Sequence, residues 1–249
     1  MIHSRRQVRE LFLSLFCIEL LLAVAYGTDV WVQGDNGQPH ELINLDAEGN
    51  LPTWFSSFQL ALIAISFWAL AARTRASQRP SRRFFRLCAG FFLLLSIDET
   101  ALLHERLTAS LGSRYVDWVP RYLVNHPPEA IVCLLVLVAC ACAAYPHLRG
   151  LLQVSIRASL IAGSGCVVYV TGAAVLETIG YKMLNAGASV GLYRFEVTLE
   201  EFLEMFGASL ILYAALLFCC LAGNKARISA HTGPEKVAID SSGLRPARR

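Results

Sequence analysis

The sequence predicts an all-α, polytopic transmembrane bundle of about six spans with both termini cytoplasmic, and three observations predict it. Of 249 residues, 55% are hydrophobic and only 16% charged, with a mean hydropathy of +0.48. A soluble domain carries about a quarter charged residues, so lipid is the expected solvent for much of the chain. Six runs approach or exceed the roughly 20 apolar residues that a spanning helix needs: 10–27, 53–72, 87–105, 129–147, 158–182 and 197–222. The connector at 28–52 is free of Lys and Arg, whereas the amino terminus, the connector at 73–86 and the tail are rich in basic residues. This composition excludes disordered, collagen-like and small disulfide-stapled classes.

The first run follows Arg5, Arg6 and Arg9. Its basic start and Ala23-Val24-Ala25 have the form of a cleavable secretory signal, and Ser4-Arg5-Arg6 faintly that of a twin-arginine signal. Its length and Glu19 favour a retained anchor. The connector at 28–52 holds Asp29, Asp35, Glu41, Asp46 and Glu48 with no Lys or Arg. After the second run comes the opposite kind of connector, with Arg73, Arg75, Arg79, Arg82, Arg83 and Arg86. The third run leads to Tyr115, Trp118, Val119 and Tyr122, whose helical spacing predicts a short interfacial helix ended by Pro127 and Pro128. Arg149 and Arg157 separate the fourth and fifth runs. The bundle is expected to occupy 1–223, followed by a disordered, polar cytoplasmic tail at 224–249.

Basic connectors mark the cytoplasmic side. The nineteen Arg against three Lys, gathered at the ends of apolar runs, therefore set topology and are no nucleic-acid footprint. Membrane lipids are the expected partners, with a protein partner as a further option and nucleic acid excluded. The expected location is the plasma membrane, which is the inner membrane in a Gram-negative cell. All eight cysteines lie inside or beside apolar runs and read as small hydrophobes.

Against this background the acids stand out. Eight of nineteen fall within the predicted spans: Glu19, Asp98, Glu99, Glu105, Glu177, Glu200, Glu201 and Glu204, with His104 beside them. A charged residue at a helix centre costs roughly 2.5 to 3.5 kcal/mol on insertion scales, so protonation, pairing, water or a metal must offset the set. Counting at 1.5 Å per residue, Asp98 and Glu204 come out about 12 to 13 Å below the outer surface, and therefore level. Glu200 and Glu201 lie about 8 to 9 Å down, and Glu19 near the midplane at about 15 Å. His104, Glu105 and Glu177 fall near the outer boundary. On the third span, Asp98 and Glu105 share a direction. On the sixth, Glu200, Glu204 and Gly207 form one face. On the fifth, Glu177 shares a stripe with Gly163, Cys166, Ala173, Ala174, Gly180 and Tyr181, whose small members allow close helix approach. Spans three, five and six are expected to pack with these faces inward.

Carboxylates with one histidine on facing helices suit Fe, Mn or Zn. The Glu-x-x-His spacing of di-iron bundles is absent, so a single divalent metal is the expected cofactor, with Asp98, His104, Glu200 and Glu204 as ligands. Glu99, Glu177 and Glu201 are then candidates for a general base or for holding the ligands. The corresponding function is a metal-dependent, membrane-embedded enzyme acting on a lipid-like substrate. The alternatives are a proton- or cation-coupled transporter and an accessory subunit whose acids dock a partner helix.

Overall fold

A computed structural model describes residues 4–34, 37–74, 80–103, 106 and 128–231, with side chains in the last stretch at 138–223. The described residues are helical, without strands, and four helices are long and apolar enough to cross a membrane: Arg5–Gln33, Leu51–Arg73, Ile156–Asn185 and Val190–Gly223. The expected interfacial helix at 115–122 and the tail beyond residue 231 lie outside the described residues.

Helix α1 runs Arg5–Gln33. Ser4 starts it with a reciprocal cap, its Oγ accepting from Gln7 N and the Gln7 side chain accepting from Ser4 N, each at 3.2 Å. Helix α2, Leu51–Arg73, begins at Asn50, whose Oδ1 accepts from Thr53 N, and has Pro52 in its first turn, where a missing N–H costs nothing. Helix α3, Arg82–Ala101, follows a Ser81 cap. Helices α2 and α3 pack as a pair bolted by two serines: Ser57 Oγ donates to Ser96 O at 2.7 Å, and Ser96 Oγ donates to Ser57 O at 2.9 Å.

Helix α4, Pro128–Val154, carries Pro146 in its interior. Ser155 then caps α5, Ile156–Val170, which passes through a π-helical turn at Thr171–Leu176 into α6, Glu177–Asn185. Helix α7, Val190–His231, is the axis of the molecule, packing along α1, α2 and α5. It continues through His231, past Asn224 where the sequence places the end of the bundle.

Two apolar clusters fill the interior. One joins Leu22, Tyr26, Leu60, Ile63, Met205 and Leu212 beside the connector at 37–50. The other, towards the amino terminus, joins Val8, Leu70, Phe84, Phe85, Ala158 and Phe218. Large apolar side chains also cover the outside, among them Leu21, Trp68, Leu87, Leu94 and Val167 at 62 to 67% exposure. That surface is compatible with lipid and not with water.

Two differences from the sequence expectation alter the site. Helix α3 ends at Ala101, because Leu102 takes a left-handed conformation with φ 54°. The helical register that would carry Asp98 onward to Glu105 is interrupted there. The second concerns the small-residue stripe. The residues pressed against α7 are Gly165, Gly172 and Gly180, whereas Gly163 meets nothing within 4 Å and Cys166 is exposed. Counting back from Gly180 by regular turns gives Ala173 and Cys166. The π turn inserts one extra residue, and the contact face before it shifts by one position to Gly172 and Gly165.

Candidate functional site: a carboxyl cluster along α7

Three acids on α7 stand one helical turn apart, Glu196, Glu200 and Glu204, with Glu201 beside the middle one. The rise per turn separates successive members by about 6 Å. Glu196 is 6% exposed, while Glu200, Glu201 and Glu204 are half-buried. Other segments bring acids to the same row. Glu200 is within Coulombic reach of Glu177 of α6 and of Asp46 in the connector. Glu201 is within reach of Glu99 of α3 and of Asp46 and Glu48. Glu204 is within reach of Glu99 and Glu177 as well as its neighbours on α7.

The close fit of α7 against the π turn makes this gathering possible. A Cβ on Gly172 would lie 2.7 Å from Glu204 Cγ and 2.8 Å from the Glu200 carbonyl oxygen. Only a glycine lets the two backbones meet at the level of these two acids. Gly180 plays the corresponding part for Glu196, whose Oε2 would be 2.5 Å from a Cβ there. A π turn beside a polar cluster is a frequent companion of function.

The connector is folded over the end of the row and pinned at several points. Arg194, 8% exposed, donates to the carbonyls of Gly34 at 2.9 Å and Gly37 at 2.5 Å. Tyr193 Oη donates to Asp46 Oδ1 at 2.7 Å, and Asp29 Oδ2 accepts from His40 N at 2.6 Å. Asn50 Nδ2 donates to the carbonyls of Asn44 and Ala47. The Tyr193 bond thereby fixes Asp46 within Coulombic reach of Glu201.

Of the residues singled out from the sequence, Glu99, Glu177, Glu200, Glu201 and Glu204 are gathered here. Asp98 is half-buried on α3, one position from the acid that reaches α7. His104 and Glu105 lie outside the described residues. Among the described residues no three His, Cys, Asp or Glu side chains are grouped closely enough to hold a metal ion. The carboxylates of the row share a field and not a single coordination sphere.

Sequence reasoning missed Glu196, Arg194, Asp46 and Glu48. Starting the last span at residue 197 removed Glu196 from consideration, although its four-residue spacing from Glu200 was visible. Arg194 left no such signal, because its partners are backbone carbonyls on a distant loop.

Residues 12–220 match the model of a family described as a domain of unknown function (DUF8692), and the chain belongs to that family. No curated protein and no solved structure matches the chain.

Proposed function

We propose that this member of the family is a six-span plasma-membrane protein, both termini cytoplasmic, that takes up a proton or cation at the α7 carboxyl cluster and couples it to movement of a substrate. Four helices are long and apolar enough to span, and α3 and α4 coincide with the remaining two predicted segments. The Arg-rich connector at 73–86 and the Arg-free connector at 28–52 support the orientation. On that orientation the carboxyl cluster lies towards the outer end of the bundle, beneath the connector at 37–50.

The observation that carries this reading is the row Glu196, Glu200, Glu204 with Glu99, Glu177 and Asp46 brought to it from three other segments. Ionisable groups gathered within a spanning bundle mark ion or proton paths. Acids spaced a turn apart give a mobile cation a series of stations. The divalent-metal enzyme is the less favoured reading, since its ligand set depends on His104 and the described carboxylates are spread along α7.

Purified protein in liposomes tests this. Substrate flux into the liposomes should depend on an imposed pH or Na⁺ gradient, and that dependence should be lost in Glu204→Gln while the protein still inserts and folds. Substrate flux indifferent to both gradients would remove the transport reading.

A further inference from the structure

A second polar group lies at the junction of α1, α2 and α7, and its hydrogen-bond inventory does not balance. Glu19 and Gln59 are fully buried, and Ser209 is 1% exposed. Glu19 Oε1 accepts from Gln59 Nε2 at 2.8 Å and from Ser209 Oγ at 2.5 Å. Gln59 Nε2 also donates to Ser209 Oγ at 2.9 Å and to the Met205 carbonyl at 3.3 Å. All the side-chain donors of the group are thus used. Two buried oxygens are left with no donor, Glu19 Oε2 and Gln59 Oε1. Among the described residues no Lys or Arg pairs with Glu19.

An ionised carboxylate here would put a full charge into apolar surroundings with one oxygen bare, a costly arrangement in any protein interior and more so in lipid. A carboxylic acid differs by one donor, its O–H. Facing a primary amide, it makes two hydrogen bonds at once: amide N–H to one carboxyl oxygen, and carboxyl O–H to the amide oxygen. The first is the 2.8 Å contact already described. The second uses the two oxygens left over.

We propose that Glu19 is a proton-binding site, holding a proton on Oε2 and donating it to Gln59 Oε1, and that this neutral acid–amide pair locks α1 to α2 and α7. The step is a simple protonation: the carboxylate takes up one proton from water, and no electron is transferred. Nothing in it depends on transport through the α7 cluster. The group is distinct from that cluster: among the described residues, Glu19 is hydrogen-bonded to Gln59 and Ser209.

Infrared difference spectra of the protein in lipid nanodiscs at neutral pH test the site. Wild type minus Glu19→Gln should contain the carbonyl stretch of a protonated carboxylic acid, and the variant should stay folded because an amide–amide pair keeps both hydrogen bonds. A difference spectrum with carboxylate bands and no acid carbonyl band would overturn the proposal. Ser209→Ala provides a second measurement if Glu19→Gln does not fold. It removes one donor from Glu19 Oε1 and leaves the acid in place, so the acid band should move to higher frequency; an unmoved spectrum would count against the site. Because neither readout requires flux, this site and the transport reading can fail separately.

Discussion

The two ends of the bundle are built from the same helices and solve opposite problems. Towards the amino terminus, α1, α2, α3 and α7 meet through Val8, Leu70, Phe84, Phe85 and Phe218, a cluster without acids. Towards the connector at 37–50, the same α7 presents Glu196, Glu200, Glu201 and Glu204 to acids from α3, α6 and the connector. Size and shape decide the first region. In the second, backbone approach and hydrogen bonding decide, because apolar packing alone cannot compensate a row of carboxyls. One end is therefore expected to respond to lost volume and the other to added volume.

The largest effect is expected at the apolar end. Phe218→Ala, at a side chain 5% exposed, should cost roughly 3 kcal/mol by leaving a cavity. A thermal or denaturant midpoint in detergent checks this; a loss below that of Gly172→Ala would reverse the contrast.

Gly172→Ala comes next, at about 1 to 3 kcal/mol, because the added methyl meets the Glu200 backbone at 2.8 Å and must push α7 away. The same change should also reduce any cation effect on stability, since it moves Glu200 and Glu204 relative to α6. Gly180→Ala should cost less than Gly172→Ala. The nearest atoms there belong to the end of the Glu196 side chain, which can swing aside.

Ser57→Ala should cost about 0.6 kcal/mol, the average for hydrogen bonds between membrane helices, by removing one bolt between α2 and α3. Its effect should be the same at any cation concentration, which separates it from the glycine variants. The smallest effect belongs to Gly163→Ala, where nothing lies within 4 Å; a change within about 0.5 kcal/mol is expected. If Gly163→Ala proved as damaging as Gly172→Ala, the one-residue shift assigned to the π turn would be wrong.

Helical class and the acid-rich character were legible because both follow from local properties. Composition identifies lipid as solvent, apolar run length identifies helices, and an acid inside such a run is conspicuous wherever the helix goes. Glu200, Glu201 and Glu204 could be grouped with Glu177 and Glu99 for that reason alone. Gly180 was assigned to the right stripe, yet Gly172 and Gly165 were not. A stripe drawn at regular periodicity cannot anticipate the residue that the π turn inserts.

What the sequence by itself determined is the material: apolar helices, a surplus of acids towards one end, and an Arg pattern that distinguishes the connectors. Only the tertiary structure decided which acids meet, which glycines allow it, and that Glu19 is joined to Gln59 and Ser209, 40 and 190 positions away. The reason is physical. Solvent preference and helix formation depend on residues within a turn or two, whereas a buried carboxyl is stabilised by whatever donor the packing of distant helices brings to it.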